Sequence, residues 1–242
     1  MTSLTQVAAL HLRRAHARTL WAPSGVPVSV APSWPLGIAL TAWTVGDALL
    51  PDAVPGRSTA AYTIAAIATA AALAFTLALH EAAHAAVARR GGLSVRRITL
   101  SFVGGALELA DTPPTPGVEL RVALAGPIAS GMLALAATLA HVLFVAVEMD
   151  PLFATAAAAV ALANILIAVF NCIPALPLDG GRALHAVLWA LSGREAFGAT
   201  LASIAGRMLS VAMLALAVVA SASADAALAI WLGLLGLSLR SQ

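Results

Sequence analysis

The sequence predicts an all-α polytopic membrane protein with about six transmembrane helices and a small β-hairpin or sheet element between spans two and three. Three observations carry that prediction. The 242 residues are 61% hydrophobic and 10% charged, against roughly 25% charged in soluble proteins. The mean hydropathy is +0.94. Apolar runs of about 20 residues or more alternate with short polar breaks, and runs of that length cross a hydrocarbon core as helices. A net charge of +2 argues against a nucleic-acid partner. The single cysteine, Cys172, excludes an intramolecular disulfide framework and a clustered-thiolate metal site, so a metal here needs His and carboxylate ligands.

The chain opens on a basic amphipathic stretch, Leu10 to Arg18, with Arg13, Arg14 and His16. It lacks a small-residue cleavage pattern, and residues 1–30 are expected to form a cytoplasmic, surface-lying lead-in. Six spans follow: Trp34 to Leu50, Ala60 to Ala88, Val118 to Val147, Leu152 to Phe170, Phe197 to Ala220, and Ala224 to Leu239. Every basic residue apart from His is Arg. With both termini cytoplasmic, all of them except Arg57 fall on the cytoplasmic side, which is the bias that sets orientation. Asp52, Glu148, Asp150 and Asp225 fall in the opposite loops.

Between spans two and three, residues 94–109 alternate well enough to suggest short strands with a Gly104-Gly105 turn, and Pro113, Pro114 and Pro116 close the segment. Such a hairpin follows the second span directly. It reads either as a surface connection between two spans or, folded back as an edge, as a place where an extended peptide adds through backbone bonds, with Gly104 and Gly105 as substrate-binding candidates. No internal repeat or linker is visible, and 1–242 is expected to be a single membrane-embedded domain.

Chemistry concentrates at two places. In the second span, His80-Glu81-Ala82-Ala83-His84 sets two imidazoles one helical turn apart on one face, with a carboxylate between them. One turn brings both rings to a common ion, which is the arrangement of helical zinc-protease sites. Ionisable side chains within a membrane helix are costly without partners and point to function. After the fourth span, Asn171-Cys-Ile-Pro174-Ala-Leu-Pro177-Leu-Asp179-Gly180-Gly181 breaks the helix and permits a sharp turn, so Asp179 can be aimed inward as a third ligand. Taken alone, Asp179 reads equally well as the N-cap of a helix beginning near Arg182. Paired with the histidine helix, ligation is favoured. His185 is a fallback ligand, with capping or support of the site preferred. His141 is expected near the opposite interface, Asn164 is a candidate for bonding between helices, and Cys172 is read as inert.

These motifs, in this order, resemble the site-2 protease family of intramembrane zinc metalloproteases. The match rests on His80-Glu81-x-x-His84, on Ala125-Gly126-Pro127 in the third span, and on Asn171-x-x-Pro174-x-x-Pro177-Leu-Asp179-Gly180, and it covers about Gly25 to Trp189. The resemblance implies a catalytic core of about 60–190 built on spans two to four. It implies one Zn²⁺ per chain held by His80, His84 and Asp179, with Glu81 as general base and Asn171 helping to hold substrate or intermediate. It also implies regulated intramembrane proteolysis in a bacterial inner membrane. The substrates are then transmembrane or membrane-associated regulatory proteins such as anti-sigma or pro-sigma factors, with a regulatory membrane partner. The chain is expected to be a minimal six-span type without PDZ or CBS domains. Where relatives often have His before Pro-Ser, this sequence has Ala31-Pro32-Ser33. The rival readings are a metal-ion transporter and a non-catalytic membrane chaperone with a vestigial site.

Overall fold

The computed structural model describes residues 18–21, 26–101, 104–222 and 226–240. Residues 1–17, which hold most of the expected basic lead-in, lie outside it, as does Asp225. Four helices are long and apolar enough to cross a membrane: α3 (Thr59–Arg90), α4 (Pro116–Ala146), α5 (Pro151–Asn171) and α7 (Glu195–Ala222). They coincide with the second to fifth expected spans. The chain is an integral membrane protein on this ground. Their outward faces carry Ile64, Phe75, Met132, Leu135, Leu166 and Val218, all more than half exposed, as lipid-facing surfaces do. Between helices the contacts are small residues such as Ala66, Ala70 and Ala202, which let backbones approach closely.

The ends of these helices follow from local chemistry. Ser58 caps α3 by accepting from Ala61 N at 3.2 Å. Thr115 caps α4 by accepting from Val118 N at 3.3 Å, with Pro116 at the first turn. Asp150 caps α5 through Leu152 N at 3.0 Å and also pairs with Arg57 at 3.0 Å, so Arg57 sits with the acidic loops at the end of the molecule away from Arg89 and Arg90.

The first expected span, Trp34 to Leu50, is not one regular helix. It is α1 (Trp34–Thr44), a π-helical stretch (Val45–Leu49) and the short α2 (Leu50–Ala53). The cause is Pro51, which has no N–H and whose ring crowds the carbonyl four residues back. The chain answers by widening, and Leu50 N bonds Val45 O instead. The last expected span is the 15-residue helix α8 (Ala226–Arg240), locked to α7 by Ser210 Oγ donating to Gly236 O at 2.7 Å. His141 Nδ1 donates to Ala154 O in the first turn of α5 at 2.8 Å, joining α4 to the start of α5.

The β element is larger than a hairpin. Four strands, β1 (Arg18–Trp21), β2 (Val28–Val30), β3 (Val95–Ser101) and β4 (Gly104–Leu109), lie in the order β1-β2-β3-β4. The pairings are antiparallel, parallel and antiparallel. Part of the expected lead-in is therefore sheet. Gly104 and Gly105 are not the turn: they open β4, opposite Ser101 and Leu100. The sheet is seated on the last turns of α3 through Val26, Ile98 and Leu100 against Ala85. Leu93, Val118 and Val122 close over Ala88 beside it. This seating brings β4 to the histidine helix.

Candidate metal centre and active site

Helix α3 presents His80, Glu81 and His84, and all three are buried. The loop after α5 delivers Asp179 as the first residue of α6 (Asp179–Ser192). It is not an N-cap; Leu178 holds that position, without a side-chain bond. The Asp179 carboxylate turns instead to the histidines. Oδ2 lies 3.2 Å from His80 Nε2 and 3.1 Å from His84 Nε2, and the two Nε2 atoms are 3.2 Å apart. These edges match the spacing of about 3.3 Å expected for ligands about 2.0 Å from one tetrahedral ion.

The other ring nitrogens fix the chemistry of those that converge. His84 Nδ1 donates to Val122 O at 2.7 Å; a carbonyl only accepts, so Nδ1 carries the proton and Nε2 keeps its lone pair. His80 Nδ1 bonds Ser130 Oγ at 2.9 Å. His84 thus offers a lone pair, and His80 offers one when its Nδ1 donates to Ser130 Oγ; with the Asp179 oxygen they form a buried set that could hold a cation. Burial pushes the Asp179 carboxyl up, but its bonds with His80 and His84 outweigh that and hold it below the ordinary range. It remains the anionic oxygen of the set.

Two glycines keep the site open. A β-carbon on Gly126 of α4 would overlap Nε2 of both His80 and His84, in the space a shared ion needs. A β-carbon on Gly105 of β4 would overlap the Glu81 carboxyl, so the strand backbone lies directly against that side chain.

The remaining expected residues divide. Asn171 is half-buried at the end of α5, and its amide donates to Ile167 O of its own helix at 3.0 Å. His185 is apart from the triad: its ring stacks on Trp189 with centroids 5.9 Å apart, and its Nε2 is buried without a hydrogen-bond partner among the described residues. Asn164 does link helices, donating to Thr76 Oγ1 at 3.2 Å. Sequence reasoning missed Ser130, one turn beyond Gly126, and the pair of Glu119 with Arg182 at 2.9 Å. A buried carboxylate in an apolar run was the available signal for the second.

Fold and site together define a polytopic membrane protein with a two-histidine, one-carboxylate cluster that could hold a metal ion, on a helix that also bears a buried glutamate. The family model of Peptidase family M50 matches residues 68–159 and 145–216, and the chain belongs to that family. It is 34% identical over 199 residues to the Mycobacterium tuberculosis protein Rip3, which carries the name of a zinc metalloprotease; the match covers 81% of this chain and 50% of that one. It is 34% identical over 186 residues to a Synechocystis protein of the same designation, covering 76% and 47%. The chain thus spans about half the length of these curated relatives. The solved site-2 protease from Methanocaldococcus jannaschii superposes with a TM-score of 0.63 at 23% identity, covering 92% of this chain and 94% of that one, and shares the fold.

The ligand set yields a direct expectation. Asp179→Asn replaces an anionic oxygen by a neutral one and should cost at least about tenfold in metal affinity, whereas His185→Ala should leave it unchanged. Zinc retained after dialysis against a weak chelator reads the order. The reverse order would exclude Asp179 as a ligand.

Proposed function

We propose that this protein is an intramembrane zinc metalloprotease that hydrolyses peptide bonds in or near the transmembrane segments of membrane-bound regulatory proteins. The observation that carries the reading is the convergence of His80, His84 and Asp179 beside Glu81 at the foot of an edge strand. Family membership and the names of the relatives support it. Zinc, when bound, supplies the Lewis acidity that polarises the scissile carbonyl and acidifies water. His80, His84 and Asp179 hold the ion, and Ser130 and the Val122 carbonyl keep the imidazoles in the ligating tautomer. Glu81 takes the proton of the attacking water and passes it to the amine nitrogen as the C–N bond breaks. Asn171 would have to leave its bond to Ile167 to reach a bound substrate.

The protein is read as one metalloprotease domain in a bacterial inner membrane, with the arginine-rich, metal-bearing end cytoplasmic. Anti-sigma or pro-sigma factors are the proposed substrate type, delivered with the help of a regulatory membrane partner. Chelation tests the reading. Removing the metal should stop cleavage of a transmembrane peptide in detergent or liposomes, and one equivalent of zinc should restore it. Cleavage that persists in metal-free protein overturns the metalloprotease assignment, and metal carried across the bilayer without cleavage would identify a transporter.

A peptide bond within a helix is shielded, so the substrate has to be extended before attack. Strand β4 is a sheet edge among the described residues, and its Gly105 backbone lies at Glu81. We assign it the role of pairing with the unwound substrate. In an antiparallel ladder, one of Ala106 and Leu107 points its N–H to β3 and the other points outward. Proline at the outward position should keep zinc and lower cleavage of an intact transmembrane substrate at least about tenfold, with a smaller loss on a substrate loosened by helix breakers. Equal cleavage by wild type and both proline variants would remove β4 from substrate binding.

A further inference from the structure

The metal ligands come from α3 and α6, yet a third helix touches the supports of all of them. Along α4, Glu119, Val122, Gly126 and Ser130 follow one another at helical spacing, so they share a stripe. Val122 O bonds His84 and Ser130 bonds His80. Gly126 lies against both rings. Glu119 reaches the remaining ligand indirectly. Its Oε1 accepts from Arg182 Nε at 2.9 Å and its Oε2 from Arg182 Nη2 at 3.4 Å. Arg182 stands one turn after Asp179 on α6.

Resting on the metal-centre reading, we propose that Glu119 is a positioning residue: its forked ion pair with Arg182 sets the first turn of α6, and so the direction from which the Asp179 carboxylate meets His80 and His84. A purely stabilising role accounts poorly for the pair. Glu119 is 5% exposed and the Arg182 side chain 22%, so the pair is largely withdrawn from water, where an ion pair gains little over well-packed apolar residues of the same size. What a forked arginine–carboxylate contact adds is direction. The rest of the turn is already confined. A β-carbon on Gly180 would overlap the carbonyls of Cys172 and Ile173, and Leu176 N bonds Ala202 O of α7 at 3.1 Å. These contacts confine the loop before α6 and tie it to α7, whereas α6 itself packs along α4, the helix that orients the histidines. The Glu119–Arg182 pair registers α6 on α4, which then serves as one jig for three ligands from two helices.

A double-mutant cycle on zinc affinity tests this in the purified full chain, stripped of metal and titrated against a chromophoric competitor. Glu119→Gln keeps size and removes the charge. It should weaken zinc by about 10–100-fold in the wild-type background, and by less than about threefold when Asp179→Asn is already present, because no anionic ligand is left to aim. Arg182→Lys keeps the charge and loses the fork, and should behave in the same way; it also serves if Glu119→Gln fails to fold. Breaking a largely buried pair lowers stability, so the metal-free proteins should melt earlier by a similar amount in both backgrounds, while the zinc weakening differs between them. Equal zinc weakening in both backgrounds, or none in either, overturns the positioning role while leaving the metal centre standing. An Asp179→Asn variant that binds zinc as wild type does overturns the metal centre itself and this assignment with it.

Discussion

Gly126→Ala is expected to empty the metal centre. The added methyl would overlap Nε2 of both His80 and His84, so it competes for the space the ion needs. The neighbours cannot simply yield. Both rings are tethered through Nδ1, to Ser130 and to the Val122 carbonyl, and Gly126 lies within a continuous helix. Overpacking of this kind costs about 1–3 kcal/mol of stability, which a folded membrane protein tolerates. The metal has no alternative position, so its content should fall below about a tenth of an equivalent, and cleavage with it by about 10³-fold or more. Gly131→Ala on the same helix is the control, since a β-carbon there meets nothing within 4 Å. Elemental analysis of the two purified variants reads the result. A Gly126→Ala protein holding a full equivalent of metal would show that the ion does not sit among these three ligands.

Glu81→Gln should separate binding from chemistry. The amide has the volume of the carboxyl and fits beneath Gly105, where little else would. Glu81 is not one of the three converging ligands, so zinc content should match wild type. Without a group to accept the proton of the attacking water, cleavage of a transmembrane peptide should fall by about 10²–10⁴-fold. Unchanged cleavage with zinc retained would dismiss Glu81 as the base, and loss of zinc would place it among the ligands.

What the sequence made legible was what local rules govern. His80 and His84 were readable because helical period alone brings them to one face. Asp179 was readable because prolines break the chain just before it and two glycines follow it directly. The long spans were readable because apolar length decides them. The broken first span required noticing that Pro51 disturbs the turn before it rather than simply ending a helix. The parallel partner of β3 was out of reach, since Val28–Val30 is three residues long and its alternation signals nothing until a distant strand lies beside it. Asn171 illustrates a different limit: an amide at a helix end can satisfy itself on its own backbone, as it does here at Ile167. The Glu119–Arg182 pair and the Ser130 contact join residues far apart in the chain, and no period links them.

The parallel pairing of β2 with β3 has a consequence for biosynthesis. Val28, Ser29 and Val30 run beside Ile98, Thr99 and Leu100 in the same direction, and parallel neighbours cannot be joined by a simple turn. The chain must leave the sheet and return to the same aqueous side. Helix α3 supplies the return leg, ending a few residues before β3. On the six-span reading, the outward leg falls to the irregular stretch from Trp34 to Ala53. During synthesis, the first two hydrophobic segments must enter the bilayer as a pair before the inner edge of β3 finds its neighbour. A nascent chain in which the proline-bent segment failed to cross would leave Val28–Val30 on the wrong side of the membrane, with the hairpin beside the histidines half assembled.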